Sequence, residues 1–240
     1  MASGYVISDL HLFTPWSMAD DYMAEVHEAA GRADFFVLNG DIFDFRWSSL
    51  PSAANTMTAA AAWLQAFAGE HPRCRVIYVM GNHDGVRPFA RRLTPLAAAT
   101  PNLEWHPSHV RIGTALFTHG DLFLRHNGGD PFTRRLLPTI GRKPKALRRC
   151  YRLLHALRVQ RWHAPIVGTR RCAKRFIRAL KTASNGDAGG ITDVYFGHTH
   201  TRFSDYAYRG LRFHNTGSMI GGLPWHMLPV RMNDDADEAR

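Results

Sequence analysis

Seven side chains of the types that bind metal ions occur in five short motifs spread along the chain. The motifs S-D-L-H, N-G-D, G-N-H-D, H-G-D and G-H-T-H supply Asp9, His11, Asp41, Asn82, His119, His198 and His200. These residues offer carboxylate, amide and imidazole groups and no thiolate, a donor set that suits hard to borderline divalent cations. The residue types and their order indicate a site for two metal ions.

Each motif follows a short apolar run typical of a buried β-strand. These runs cover residues 5–7, 35–38, 76–80, 115–117 and 194–196. Helical patterns separate all of these runs except the fourth and fifth, and two of these patterns cover Ala19 to Ala30 and Ala53 to Ala68. Alternating strands and helices predict an α/β fold whose sheet is covered on both faces. Functional residues are expected where such strands end, so side chains far apart in sequence can converge there.

Composition limits the compartment and the class of protein. The chain has 240 residues, 45% of them hydrophobic, and no apolar run is long enough to span a bilayer. We expect no signal peptide, because no basic and apolar leader precedes the first strand-like run. The cysteines Cys74, Cys150 and Cys172 are widely spaced and form no C-x-x-C pair, which predicts reduced thiols rather than a disulfide framework. The protein is therefore predicted to be cytoplasmic.

The net charge of +10 is concentrated in one segment. Residues 125–181 contain 17 lysines and arginines and a single acid, Asp130. Two amphipathic helical patterns lie here, one after Pro144 and one around Phe176. We interpret residues 123–189 as a basic helical insertion within a single domain of residues 1–232, followed by a disordered acidic tail at 233–240. The charge predicts an anionic partner, although a solvated basic face is the simpler alternative.

The ordered motifs resemble those of the calcineurin-like metallophosphoesterase superfamily, and the resemblance runs from Asp9 to His200 and is expected to continue through N-T-G-S at 215–218. It implies an α-β-β-α sandwich of four layers with a helical insertion acting as a lid, and a hydrolase of phosphoric ester or anhydride bonds. One metal would be held by Asp9, His11, Asp41 and His200. The second would be held by Asp41, Asn82, His119 and His198. Manganese is the expected metal, with zinc or iron as alternatives.

The same resemblance suggests which residues carry the chemistry. Two cations roughly 3.5–4 Å apart can stabilise both the attacking and the leaving oxygen, and they lower the pKa of a bound water. His83, next to Asn82, is expected to protonate the leaving oxygen or to stabilise developing charge. Asp84 is expected to hold the imidazole of His83, whereas Asp44 and Asp121 are candidates to orient the ligating histidines.

Structural roles are expected for the remaining histidines. A single histidine outside such a motif is more often a hydrogen-bonding residue of the fold than a ligand. This interpretation applies to His27, His71, His106, His109, His126, His155, His163, His214 and His226.

Within the superfamily, the chain looks most like the UDP-2,3-diacylglucosamine diphosphatase group. The resemblance rests on S-D-L-H-L, on G-D-I-F-D at Gly40 to Asp44, on H-G-D, and on a helical insertion before G-H-T-H. It implies a pyrophosphatase acting on a nucleotide-linked lipid at the inner face of the membrane, with peripheral binding to anionic headgroups. One position departs from the group, because His83 stands where its members typically carry arginine.

Two other functions stay open from the sequence. A phosphodiesterase, nuclease or phosphatase would use the basic segment to bind nucleic acid or another phosphorylated substrate, and binding would then weaken steeply with salt. A non-catalytic binding module is disfavoured because all seven ligands are retained. The residues within 125–181 that would contact substrate, and the oligomeric state, are not assigned by the sequence.

Overall fold

Strands and helices alternate over residues 3–106, as expected. The computed structural model describes residues 2–123, 168–183 and 190–231. The helices in these ranges are α1 (Met23–Arg32), α2 (Ala53–Glu70), α3 (Arg87–Ala99) and α4 (Thr169–Ala183), and a 3-10 helix at Ala19–Tyr22 precedes α1. The strands are β1 (Ser3–Ile7), β2 (Phe35–Asn39), β3 (Arg75–Val79), β4 (Leu103–His106), β5 (His109–Ile112), β6 (Ala115–Thr118), β7 (Asp193–Phe196), β8 (Phe203–Tyr208), β9 (Leu211–Asn215) and β10 (Leu228–Arg231).

The strands form two five-stranded sheets. The first has the order β10-β1-β2-β3-β4, in which β1 to β4 are parallel and β10 pairs antiparallel with β1. The second has the order β5-β6-β7-β9-β8, with β6, β7 and β9 parallel. Parallel strands place their carboxyl ends at the same edge of a sheet, so β1, β2 and β3 end together, and so do β6 and β7.

Alternating side chains build the core between the two sheets. Val6, Val37 and Val79 point inward from the first sheet, and Phe117 and Tyr195 point inward from the second. The rings of Phe117 and Tyr195 stack with their centroids 4.9 Å apart. The period of two along each strand leaves the other residues free to pack on the outer faces.

Helices cover both outer faces, which confirms the predicted four-layer α/β sandwich. Ile7, Leu38 and Tyr78 of the first sheet pack in one cluster with residues of α1, α2 and α3. On the second sheet, Val194 and Phe196 share a cluster with α4. Cys74 and Cys172 lie in these two different clusters, so they do not form a disulfide with each other.

Helix α4 lies inside the segment predicted to be an insertion, and its apolar side is buried against the second sheet. Phe176 is completely buried, and Ile177 and Leu180 are at most 9% exposed, all against the second sheet. The apolar stripe of α4 therefore packs on the main domain. Its lysines and arginines face solvent.

Several expectations concern residues outside the described ranges. They are the helix after Pro144, the remainder of the insertion at 123–189, the acidic tail at 233–240 and the thiol of Cys150. In the part of the chain that the structure describes, no helix has the length and apolar character needed to cross a bilayer.

Candidate dimetal site

The five motifs converge at the carboxyl ends of five parallel strands. Asp9 follows β1, Asp41 follows β2 and Asn82 follows β3, while His119 and His198 follow β6 and β7 in the second sheet. Backbone hydrogen bonds join neighbouring loops: the N–H groups of Asp9 and His11 donate to the carbonyls of Gly40 and Asp41, each at 3.0 Å. The fold thus brings together all seven side chains that the sequence singled out.

Five of these seven residues have a left-handed backbone conformation. Their φ angles are 55° at Asp9, 48° at His11, 51° at Asp41, 65° at His198 and 53° at His200. Non-glycine residues adopt this region rarely, although aspartate and histidine tolerate it better than most. Such strain clusters where a side chain must be aimed at one point, and here the five side chains share a single cleft.

One group of side chains surrounds Asp9. The Nε2 atom of His200 lies 3.1 Å from Asp9 Oδ1. His11 Nε2 lies 3.9 Å from that same oxygen and 3.9 Å from Asp41 Oδ2. Asp9, His11 and Asp41 are at most 1% exposed, whereas the side chain of His200 is 29% exposed and lies at the opening.

A second group surrounds Asn82. Its Oδ1 atom lies 2.8 Å from His198 Nδ1 and 3.1 Å from His119 Nε2. His119 Nε2 is also 3.1 Å from Asp41 Oδ2, so Asp41 belongs to both groups. This arrangement matches the two ligand sets implied by the resemblance, with Asp41 in the bridging position. The assignment of individual ligands to metals stays a prediction.

The donor atoms fit two divalent cations. His11 Nε2 is buried without a hydrogen-bond partner, although two carboxylate oxygens lie 3.9 Å from it. A cation between these atoms would satisfy the nitrogen, because metal–nitrogen and metal–oxygen bonds are about 2.0–2.2 Å long. Burial acts to raise the pKa of Asp41, but the charges of His119, His83 and His11 outweigh it and hold that pKa well below its usual range. Asp41 is therefore ionised, as a bridging ligand must be.

Two glycines leave the space that the carboxylates occupy. A Cβ atom on Gly81 would overlap Asp41 Oδ1 and the Asp41 backbone nitrogen. A Cβ atom on Gly197 would overlap Asp9 Oδ2 and Ser8 Oγ. The loop after β3 can approach Asp41 only because Gly81 has no side chain. In the same way, the loop after β7 can approach Asp9 only because Gly197 has none.

The partner of His83 differs from the expected one. His83 Nδ1 lies 2.8 Å from Asp44 Oδ2, so Asp44, and not Asp84, holds this imidazole. Asp84 is fully buried and accepts hydrogen bonds from the backbone N–H groups of Gly81, Ile42 and Phe43. The expected catalytic role of Asp84 is thus corrected: its carboxylate ties the loop after β3 to the loop after β2 and faces away from His83.

Asp44 links a candidate metal ligand to the candidate catalytic histidine. The Oδ2 atom that contacts His83 also lies 3.2 Å from His11 Nδ1, which agrees with the expected orienting role. Its other oxygen accepts from the N–H groups of Arg46 and Trp47, each at 2.9 Å. Asp44 is therefore held in place by hydrogen bonds from the backbone and can orient the imidazoles of His11 and His83 together.

His83 is held at the opening of the cleft. Its side chain is 19% exposed, its N–H donates to Asp41 Oδ1 at 2.7 Å, and its Nε2 lies 4.0 Å from Asp41 Oδ2. Burial acts to lower the pKa of His83, but the charges of Asp44 and Asp41 raise it to about 9. The imidazolium form is consequently favoured at neutral pH, which suits a proton donor.

A hydrogen-bond chain around Asp9 was not anticipated from the sequence. The Ser8 hydroxyl donates to Asp9 Oδ2 at 2.5 Å and lies 2.6 Å from Thr216 Oγ1. Ser218 Oγ donates to the Asp9 carbonyl at 3.0 Å. The only sequence signal was the run N-T-G-S at 215–218, which begins at the last residue of β9.

The structure also places the residues for which other roles were considered. His214 Nε2 lies 2.9 Å from Asp193 Oδ1 in the second sheet, which confirms the structural role expected for it. Asp121 is buried, and its charge acts to raise the pKa values of His119 and His198. The orienting role of Asp121 stays a prediction.

Comparison with known proteins identifies the family. The family model described as Calcineurin-like phosphoesterase matches residues 5–202. No curated protein matches the chain. Among solved structures, a dimetal phosphatase from Danio rerio is 12% identical, with a TM-score of 0.49 over 97% of this chain and 93% of that one. A second solved structure is 13% identical, with a TM-score of 0.47 over 90% of this chain and 91% of that one. Because the family match covers most of the chain, including all seven ligands, the protein belongs to the calcineurin-like phosphoesterases and is a metal-dependent hydrolase.

Proposed function

We propose that the protein hydrolyses the phosphoanhydride bond of a nucleotide-linked lipid at an anionic membrane surface, as a pyrophosphatase of the UDP-2,3-diacylglucosamine diphosphatase type. The products would be UMP and a diacylglucosamine phosphate. The observation that carries this proposal is the basic face of α4, and the motif resemblance supplies the substrate class. The location would be the cytoplasmic face of the membrane, and manganese would be the metal.

The proposed chemistry assigns a task to each group of the cleft. When bound, the two cations supply Lewis-acid stabilisation and an acidified water. The buried carboxylates of Asp9 and Asp41 hold these cations and offset their repulsion. His83, facing the opening, donates a proton to the leaving phosphate oxygen or stabilises the negative charge that develops on it. Asp44 fixes the ring of His83 for that task.

The basic face of α4 supports an anionic partner. Arg171, Lys174, Arg175 and Arg178 line a surface depression of about 260 Å³. The opposite side of the helix is anchored by Phe176, whose ring lies 5.4 Å from that of Phe123, four residues after His119. Near an anionic membrane each basic residue contributes about 1 kcal/mol of binding, so a row of four gives useful peripheral attachment.

We predict that Asp44→Asn lowers kcat by about 10- to 100-fold, because His83 and His11 lose the charge that orients them. The same change removes one of the two negative charges, those of Asp44 and Asp41, that raise the pKa of His83. If protonated His83 is the active form, activity declines as pH rises through this pKa. The alkaline limb of the kcat–pH profile should then move to lower pH. A profile that keeps its wild-type limb would contradict the positioning role, and an unchanged melting temperature would show that the fold is intact.

The substrate proposal is tested by side-by-side turnover with manganese. UDP-2,3-diacylglucosamine in phosphatidylglycerol-containing vesicles and single-stranded DNA are offered to the same enzyme preparation. We expect UMP release from the lipid and little cleavage of DNA. The double variant Arg171→Gln/Arg175→Gln should bind these vesicles about 30-fold more weakly, because two contributions of about 1 kcal/mol are lost.

The control for that experiment is Arg73→Gln/Arg91→Gln, which removes the same charge from exposed positions away from α4. This control should bind vesicles nearly as well as wild type. Faster turnover of DNA than of the lipid would overturn the substrate class in favour of a nuclease. Equal vesicle binding by both double variants would leave the hydrolase chemistry intact but remove α4 from the membrane contact.

A further inference from the structure

A second cluster of metal-binding side chains lies at the opposite edge of the first sheet. His27 is on α1, Glu70 is the last residue of α2, and His71 follows it as the C-cap. His27 Nδ1 lies 2.9 Å from His71 Nε2 and 3.1 Å from Glu70 Oε2. This cluster precedes β3, whereas Asn82 follows it, so the two sites are separated by about the length of that strand, roughly 17 Å.

We propose that His27, Glu70 and His71 form a zinc site that is separate from the dimetal site and fastens α1 to the end of α2. Two imidazoles and one carboxylate are a ligand set that zinc favours, with a fourth position left for water. The half-exposed cluster gives water access to that position, since the side chain of Glu70 is 60% exposed.

The spacing of the ligand atoms agrees with tetrahedral coordination. Bonds of 2.0–2.1 Å at tetrahedral angles place ligand atoms about 3.3–3.4 Å apart. The observed separations of 2.9 Å and 3.1 Å differ from this by less than half an ångström. A small outward shift of exposed side chains would therefore admit the ion. Without an ion, the two imidazoles are joined by one hydrogen bond whose donor depends on the tautomer, and Glu70 Oε2 lies against the same Nδ1 atom of His27.

Packing fixes both imidazoles before any ion binds. The ring of the buried Phe67 makes edge contacts with His27 and His71, with centroids 5.2 Å and 5.0 Å apart. The side chain of Asn102 donates to the carbonyls of Ala68, His71 and Cys74 and so holds the chain at the end of α2. Little conformational freedom is left to lose on binding, which favours affinity.

Electrostatics also favour an ion at this position, because the Glu70 carboxylate lies 3.1 Å from His27 Nδ1 and adds a negatively charged oxygen ligand beside the two imidazoles.

The test compares zinc content in variants that all keep the dimetal ligands. Protein saturated with manganese is exposed to excess zinc, desalted and analysed by elemental mass spectrometry. Wild type and the control His106→Ala should retain about one zinc more than His71→Ala or His27→Gln, because each of the latter two variants lacks one of the three ligands. His106 is a suitable control because it pairs with Glu104, outside the cluster.

A second readout is thermal unfolding. Zinc at a hundredfold excess over its Kd should raise the Tm of wild type and His106→Ala by about 5–10 °C. The rise should be absent in His71→Ala and His27→Gln, while all four proteins hydrolyse bis-p-nitrophenyl phosphate equally with manganese. Equal zinc content and equal Tm shifts in all four proteins would overturn the proposal. His27→Gln keeps the end of α2 intact, so the test holds even if His71→Ala fails to fold.

Discussion

Asp41→Asn is expected to lower the hydrolysis of bis-p-nitrophenyl phosphate by about 10³-fold, the largest effect of any single substitution in this chain. Asp41 Oδ2 lies within 4.0 Å of an imidazole nitrogen of each of His11, His83 and His119. An amide keeps the shape but loses the charge that would bridge two cations. The loss of about 4 kcal/mol of transition-state stabilisation corresponds to that factor. Bound manganese should fall from two ions towards one or none, as measured by elemental analysis.

The matched control is Asp34→Asn. Asp34 is exposed immediately before β2 and accepts a hydrogen bond from the Ser3 N–H at 2.7 Å, which an amide oxygen can also accept. This variant should keep both its metal content and its turnover. Asp41→Asn protein that is folded and turns over substrate within about threefold of wild type would remove Asp41 from the bridging position.

Gly81→Ala is expected to lower activity about 100-fold although Gly81 has no side chain to contribute. The new methyl group would overlap Asp41 Oδ1 and the Asp41 backbone nitrogen. The backbone nitrogen cannot move without disturbing β2, so the carboxylate must be displaced. A displacement of about 1 Å in a catalytic site costs roughly 10² in rate. Kinetics with bis-p-nitrophenyl phosphate measure the loss of turnover, and metal analysis measures any loss of bound metal separately.

Gly31→Ala provides the control for the Gly81 experiment. Gly31 lies in α1 with nothing within 4 Å of the added Cβ. Replacing a helical glycine by alanine stabilises by about 0.5–1 kcal/mol, so the melting temperature should rise slightly and activity should not change. If Gly81→Ala behaved like Gly31→Ala, the close approach of the two loops would have no role in forming the site.

The strands that carry the site could be predicted because a buried strand is recognisable in the sequence as a short apolar run. The runs at 5–7, 35–38 and 76–80 are apolar on both faces, as strands packed between helices and a second sheet must be. A helical pattern was also expected between the third and fourth runs, and α3 lies there although it contains Pro88 and Pro95. Pro88 falls in the first turn, where its missing N–H leaves no hydrogen bond unmade.

The partners of the site residues could not be predicted, because they depend on how distant loops meet. Asp84 is adjacent to His83 in sequence, yet its side chain is turned towards the loop after β2. Asp44, 39 positions away, occupies the place beside the imidazole. Similarly, the periodicity of α4 predicted a helix with one apolar side but carried no information about whether the sheet or a lipid covers that side.

The left-handed backbone at five of the candidate ligands has a consequence for how this chain can be altered. At each such position, an aspartate or histidine strains the folded backbone by about 1 kcal/mol, whereas glycine adopts this conformation without strain. Variants selected only for folding would therefore drift towards glycine at Asp9, His11, Asp41, His198 and His200. Variants selected for turnover would retain the native residues. Thermostability screens that do not also measure activity are therefore expected to produce stable proteins without catalytic activity.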